Sequence, residues 1–396
     1  MSTTAKDPIV IVGMARTPMG GLLGDLSSGR GWQLGSVAVK TAIERAGVDP
    51  ESVDEAILGC VLPAGQGQAP ARQAVRSAGL PDRTAANTLN KVCGSGMKAM
   101  MMAHDMLAVG SADTMVAGGM ESMSDAPHVL KGARTGVKFG DISTKDHMAY
   151  DGLTDAYVKE PMGNFAELCA EHYQFSREAQ DAYAIESLKR AQKAIETGAF
   201  EGEITPVEVG SGARAHTVEV DEQPGKARLD KIPQLRPAFK ANGTVTAANA
   251  SSISDGAAAV VMMRESDALA KGLKPLAYIR AHATHAQAPE WFTTAPVEAI
   301  RKTLTKAGWG IGDVDLFEIN EAFAVVPMAV MQELGIDHAK VNVNGGACAL
   351  GHPIGASGTR ICVTLINALQ KRGLKKGIAG ICIGGGEGTA IALELA

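Results

Sequence analysis

The chain has 396 residues, 45% of them hydrophobic, and a formal net charge of −5, with 38 Lys and Arg interspersed among 43 Asp and Glu. At ~150 residues per domain this length suggests two or three units with a large core, and the mixed charge excludes the long-range positive field that holds a nucleic-acid backbone. Apolar runs such as Ile378 to Ile383 fall far short of the roughly 20 residues of a bilayer helix. The start, MSTTAKDPIVIVG, has neither a signal-peptide core nor an Arg-rich transit face, and Glu394-Leu395-Ala396 is no peroxisomal tripeptide. The expectation is a cytoplasmic location with neither membrane nor nucleic acid as partner.

In chain order, residues 38 to 58 predict an amphipathic helix stopped at Gly47, a turn through Pro50, then a strand. A short strand, Ala85 to Leu89, leads through NKVCGSGMKA into a helix opened by Ser95-Gly96 and ending near Gly110. Met97, Met100, Met101 and Leu107 are spaced for one buried face. Met100, Met101 and Met102 read as core filling, not as a soft metal site. Val116-Ala-Gly-Gly119 resembles a strand that ends in a tight turn.

Residues 121 to 248 break this rhythm. They are rich in charge and glycine, carry one long predicted helix from Arg177 to Thr197 with Ser176 as N-cap, and read as an insert laid over the core. After it the opening pattern returns. Residues 299 to 319 repeat the helix, turn and strand of 38 to 58 at an offset of 261, with Ala307-Gly308 facing Ala46-Gly47 and Val314-Asp315 facing Val53-Asp54. Ser357-Gly358 opens a helix to Gly373 with the stripe Ile361, Leu365, Ile366 and Leu369, at an offset of 262 from the Ser95 helix. Internal duplication of this kind predicts two similar layered α/β halves packed against each other. The expected boundaries are 1–120 plus 249–275 for the first half, 121–248 for the insert and 276–396 for the second half.

Six cysteines, Cys60, Cys93, Cys169, Cys348, Cys362 and Cys382, occur singly and read as free thiols in a reducing compartment. His282-Ala-Thr-His285 has a spacing that suits a metal but no Cys or carboxylate cluster beside it in sequence, so no metal site is expected. Cys93 stands where a strand gives way to a helix N-terminus, whose dipole and free N–H groups favour a thiolate. Position alone leaves nucleophile and inert buried thiol evenly weighted.

The repeat brings His352, in GGACALGHPIGASG, to the same sheet edge as Cys93. Gly351 leaves it accessible, and a near-neutral imidazole there would serve as base. Cys382, in ICIGGGEGTA, ends a strand beside glycines whose N–H groups can bind an oxyanion. Asn320-Glu-Ala-Phe-Ala324 ends the strand Leu316 to Ile319 at that edge too.

Together NKVCGSGMKA, NEAFA, GGACALGHPIGASG and CIGGGEGTA, in this order, resemble the four signature blocks of the thiolase family, and the resemblance runs from PIVIVGMARTPMG at 8–20 to the C-terminus. It implies a thiolase-like fold, layered α-β-α-β-α with an inserted loop domain. It further implies that Cys93 is acylated, His352 activates it, Cys382 exchanges the α-carbon proton, and Asn320 holds a water that stabilises the enolate with His352. The N–H groups of Cys93 and Gly384 would bind the thioester oxygen.

By the same resemblance Ser251 lies beside the pantetheine arm of coenzyme A, Leu153, Met162 and Phe323 line the substrate tunnel, and Lys226 and Arg228 meet the phosphates. The chain departs from the family pattern around Pro224, at Pro161, where short-chain relatives commonly have His, and at Cys348, which reads as a packed thiol. No dinucleotide or phosphate-loop fingerprint occurs, so no cofactor is expected and the coenzyme A thioester is the substrate. The implied reaction is that of an acetyl-CoA C-acetyltransferase, two acetyl-CoA to acetoacetyl-CoA plus CoA, with a broader-chain 3-ketoacyl-CoA thiolase as the alternative. A dimer or dimer of dimers is the implied assembly.

Overall fold

The computed structural model describes residues 7–210, 212 and 215–396; part of the N-terminal stretch read for a leader lies outside them. Strand β1 (Ile9–Arg16) is followed by α1 (Gly31–Ala46), β2 (Glu55–Gly59), α2 (Pro70–Ser77), β3 (Ala85–Leu89), α3 (Ser95–Ala108) and β4 (Thr114–Ser122). Helices α4 (Met162–Tyr173) and α5 (Arg177–Glu196) come next, then β5 (Ser254–Arg264) and β6 (Ala277–Ala286). The chain continues through α6 (Ala295–Ala307), β7 (Leu316–Ile319), α7 (Val325–Leu334), α8 (Ser357–Arg372), β8 (Lys376–Ile383) and β9 (Glu387–Leu395).

The strands are ordered β7-β8-β9-β6-β1-β5-β4-β2-β3. That order is symmetric about its middle: β1, β5, β4 and β2 lead outward on one side as β6, β9, β8 and β7 do on the other. Only two residue pairs, Val10–Tyr278 and Ile11–Ala277, join the halves through the backbone. The fifth strand of the second half shrinks to a single parallel bridge, Phe317–Val341. Asn342 takes over part of its work: its Oδ1 accepts from Ile319 N at 2.8 Å and its Nδ2 donates to Ile319 O at 2.8 Å, as a neighbouring strand would.

The repeat is legible atom by atom. Asp54 accepts from the N–H groups of Asp113 and Thr114, and Asp315 accepts from those of Lys375 and Lys376. Each carboxylate thus caps the start of the strand next to its own.

Packing makes five layers. One cluster, including Val10, Leu34, Val39 and Val75, fills the space between the first half-sheet and α1 and α2. Another, including Ile300, Phe317, Val330 and Ile378, does so between the second half-sheet and α6 and α7. Between the sheets lie α3 and α8, whose stripes Met97, Met100, Met101, Leu107 and Ile361, Leu365, Ile366, Leu369 are all buried in one cluster fed by both halves. Met102 departs from its core assignment: it is 37% exposed, because the helix turns it away from that stripe.

Helices α3 and α8 cross at their first turns. A Cβ on Gly96 would lie 2.7 Å from Thr359 Oγ1, and one on Gly358 would lie 2.4 Å from Met97 N. Repeat-equivalent glycines therefore let two helix N-termini meet face to face. The other glycine expectation is corrected. Gly118 and Gly119 lie inside β4, not in a turn, and a Cβ on Gly119 would strike Gly355 O at 2.1 Å, so the residue admits the loop carrying His352.

Strands β4 and β5 are neighbours with Ser122 opposite Asp255, so residues 123–253 leave and rejoin the sheet at one place. Helix α5 is N-capped by Ser176, whose Oγ accepts from Ala179 N. The segment is fastened to the core by buried charge: Arg16 on β1 pairs with Glu203 at 2.6 Å and with Asp221 at 2.7 Å, and Glu203 accepts from Thr364 and Asn367 of α8.

The crossing yields the first prediction. Gly358→Ala forces Met97 backbone to move, an overpacking cost of roughly 1–3 kcal/mol, so its melting temperature falls by several degrees; an unchanged calorimetric transition would contradict the close approach.

Candidate active site

Between β3 and α3 the chain makes a sharp turn. Asn90 Oδ1 accepts from Val92 N at 2.9 Å, Ser95 Oγ accepts from Lys91 N at 2.8 Å and donates to Val92 O at 2.6 Å. Val92, a β-branched residue, is held at φ +46°, a strained conformation that the surrounding bonds over-determine. Lys91 Nζ pairs with Glu387 Oε2 at 2.5 Å, tying the turn to the opposite half beside the glycines 384–386.

Cys93 is half-buried and packs between the central core and a small cluster of Val61, Leu62, Met123 and Ile354, with Met148, Leu153 and Ile253 beside it. Its sulfur receives the N–H groups of Gly384 and of Cys93 itself. These favour the thiolate, but burial outweighs them and, with the charge of Glu121, holds the thiol up to about 11. The expectation of a dipole-stabilised thiolate is therefore corrected: the resting group is a thiol.

Cys382, at the end of β8, is fully buried, and burial raises its thiol further, with the charge of Cys93 as the next cause. The two sulfurs are thus close enough to resist being charged together.

His352 is only 5% exposed, so the accessible imidazole expected from Gly351 is in fact enclosed. What Gly351 provides instead is room for the loop to turn, since its φ is +103° and a Cβ there would strike Ser254 Oγ at 2.2 Å. Ser357 Oγ donates to Pro353 O at 3.0 Å, so toward His352 Nδ1, 2.5 Å away, it must accept. The proton accordingly sits on Nδ1 and Nε2 carries the lone pair. Asn320 Nδ2 faces that Nε2 at 3.4 Å. Burial, then the Arg360 guanidinium, lowers His352 to about 3 rather than near neutrality. It is a neutral imidazole with a fixed tautomer.

Asn320 is fully buried, and its Oδ1 has no hydrogen-bond partner among the described residues. Its neighbour Glu321 accepts from Tyr183 Oη and Ser187 Oγ of α5, from Asn342 Nδ2, and from Cys348 N, so one carboxylate fixes the loops of Asn320 and His352 against the insert. Glu121 does the same on the other side, accepting from Val61 N, Leu62 N and Gly355 N; burial raises it to about 7. Sequence reading assigned no role to Ser357, Glu321 or Glu121. Ser357 was read only as opening a helix, and the long-range partners of the carboxylates have no local signal.

The expected substrate contacts divide. Met162 N donates to Leu153 O at 3.1 Å; Leu153 packs beside Cys93, and Met162 joins the cluster of Cys382 and Phe323 and lies next to Gly384. Ser251 donates through N and Oγ to Ala322 O, which places it beside Phe323. Lys226 and Arg228 are exposed and already engaged, the first by Glu222 and Asp25, the second by Asp230. Cys348 is half-buried with its sulfur 3.8 Å from Glu321 O.

Comparison with known proteins agrees with this architecture. The family model described as thiolase, N-terminal domain matches residues 9–266, and that described as thiolase, C-terminal domain matches residues 273–395. The chain is 53% identical to acetyl-CoA acetyltransferase 2 of Arabidopsis thaliana, over 98% of this chain and 97% of that protein. It is 51% identical to a probable acetyl-CoA acetyltransferase of Dictyostelium discoideum, over 100% and 96%, and 50% identical to an acetyl-CoA acetyltransferase of Cupriavidus necator, over 98% and 99%. With both family domains matched along nearly its whole length, the chain belongs to the thiolase family.

Proposed function

We propose that this chain is an acetyl-CoA C-acetyltransferase, converting two acetyl-CoA into acetoacetyl-CoA plus CoA, and the reverse. The observation that carries the reading is that two thiols come close: the half-buried Cys93, whose sulfur receives the N–H of Gly384, and the buried Cys382, whose thiol a charge on Cys93 would raise further. One thiol suffices for acyl transfer, whereas forming a carbon–carbon bond needs a second acid/base at the α-carbon. The names of the relatives favour acetyl as the acyl group.

In the proposed cycle Cys93 Sγ attacks the thioester carbon of acetyl-CoA and its proton passes to the unprotonated Nε2 of His352. The N–H groups of Cys93 and Gly384 hold the developing oxyanion, and Cys382 gives its proton to the departing CoA sulfur. Cys382 then removes a methyl proton from the second acetyl-CoA. The enolate attacks the acetyl carbon, Cys93 leaves as a thiolate, and His352 returns its proton. Asn320, with its free Oδ1, anchors a water that shares the enolate oxygen with His352.

A thiol at about 11 and an imidazole at about 3 form no ion pair at rest, so in this scheme the proton moves only as the thioester carbonyl takes up the charge. We assign the pantetheine arm to Ser251, the tunnel wall to Leu153, Met162 and Phe323, and the phosphates to Lys226 and Arg228. No separate cofactor enters this scheme. The free thiols support a cytoplasmic location, and no helix among the described residues is long and apolar enough to cross a membrane. A homo-oligomer, dimer or dimer of dimers, with neither nucleic acid nor membrane as partner, completes the proposal.

Three outcomes test it. Cys93→Ser forms no acetyl-enzyme in intact-mass measurement, whereas Cys382→Ser, which lacks only the acid that speeds CoA departure, gains one acetyl group more slowly on prolonged incubation but makes no acetoacetyl-CoA; acetoacetyl-CoA formed by Cys382→Ser at the wild-type rate would refute the division of roles. Because the Cys93 thiol lies at about 11, its inactivation by iodoacetamide rises about tenfold per pH unit from 7 to 9.5, and a plateau near neutrality would reveal a thiolate–imidazolium pair instead. Thiolysis rates across a 3-ketoacyl-CoA series fall beyond the four-carbon substrate; a flat series would favour the broader-chain reading.

A further inference from the structure

On the side of α3 turned toward β6, three potential ligand atoms converge outside the catalytic site. His282 Nε2 lies 2.9 Å from Asp105 Oδ1 and 3.3 Å from His104 Nδ1, and His104 Nδ1 lies 3.0 Å from the same Asp105 oxygen. The two rings meet edge to face with centroids 4.9 Å apart. None of these residues belongs to the four signature blocks.

The arrangement depends on a local irregularity in β6. The register shifts between Ile279 and Ala281, so Ile279 packs into the central cluster while Ala281 packs into the outer one, although residues two apart in a regular strand share a face. This bulge returns His282 to the side of the central helices, where α3 presents His104 and Asp105. His285 is not part of the set: its ring is bonded to Gln287 and Lys302. Sequence spacing therefore paired His282 with the wrong partner.

We propose that His104, Asp105 and His282 form a binding site for a divalent cation of the zinc class, bridging the two halves of the fold. Two imidazole nitrogens with one carboxylate oxygen are an N/O set that such cations accept. Metal–ligand bonds of ~2.0–2.1 Å at tetrahedral angles separate ligand atoms by about 3.3 Å, and the three atoms already stand 2.9 to 3.3 Å apart. Asp105 is exposed, which leaves a path to the solvent and a fourth position for water, while the two histidines are mostly enclosed and pre-oriented. When no cation is bound Asp105 accepts from both rings, which leaves the two ring nitrogens facing each other as donors at 3.3 Å, a contact that a cation in place of the two protons relieves. The cation plays no part in acyl transfer.

Zinc ion is the probe. The full-length enzyme, with Cys93 blocked by iodoacetamide so that the catalytic thiol does not compete and with metal removed by chelator, is titrated with Zn²⁺ by calorimetry. Expected is one site per chain with a dissociation constant below roughly 100 µM, weakened at least about tenfold in His282→Gln and in His104→Gln but unchanged in His285→Gln. Unblocked His282→Gln retains thiolase activity, which shows that the variant is folded. Binding of equal stoichiometry and affinity in wild type and His282→Gln overturns the proposal, as does no binding at 1 mM. Substituting Co²⁺ gives a spectrum without sulfur-to-metal charge transfer; a thiolate band would move the site to the cysteines and overturn it equally.

Discussion

Everything in this molecule depends on two helices being able to cross at their first turns. α3 and α8 lie between two half-sheets, and each begins with a serine followed by a glycine. Gly96 and Gly358 remove the side chains that would hold the helices apart, so the loops leading into both helices are brought to one place. One loop carries Cys93 and the other carries His352. Duplication thus does more than build a large core: it sets two structurally equivalent loops beside each other, free to diverge into different chemical roles. The asymmetry that follows is local. Where the first half has the strained turn at Val92, the second has a histidine whose tautomer is fixed by Ser357.

Much of this was legible in the sequence because it is local or periodic. The strand Ala85–Leu89, the strand Leu316–Ile319, the N-cap Ser176 and the stripes of α3 and α8 obey rules that operate within a few residues. The repeat was legible too, since equal offsets of 261 and 262 need no knowledge of geometry. What escaped is the part written in long-range contacts. Gly118 and Gly119 look like a turn in sequence, and only the path of the Gly355 loop shows that they are strand glycines admitting a neighbour. The roles of Glu121 and Glu321 are equally invisible, because their partners come from segments far along the chain and are mostly backbone N–H groups.

The same limit applies to protonation. A cysteine at a helix N-terminus reads as a thiolate and a loop histidine as a near-neutral base, both sound as local arguments. The fold adds desolvation, which acts against charge of either sign, raising Cys93 and lowering His352. For two groups that differ in the sign of their charged form, enclosure therefore widens the gap between their pKa values and keeps the pair neutral. The buried carboxylates belong to this balance. Glu121, raised to about 7, supplies a partial charge near Cys93 that opposes the thiolate further, while its backbone bonds keep the loop rigid.

A neutral resting pair has a consequence for how substrate binding and chemistry are linked. A half-buried thiol, a buried one and an imidazole that all stay uncharged present no ion for water to solvate, so the enclosure costs little while the site is idle. In the proposed cycle charge is created only when a thioester carbonyl lies against the N–H groups of Cys93 and Gly384, and the Lys91–Glu387 pair ties the Cys93 turn to the glycine turn that carries them. The stabilisation thus falls on the species with a negative oxygen and not on the resting enzyme. That also explains why strain at Val92 is tolerated. Relaxing it would move the Cys93 N–H away from the Gly384 N–H, and the proposed cycle needs both to converge on a single oxygen.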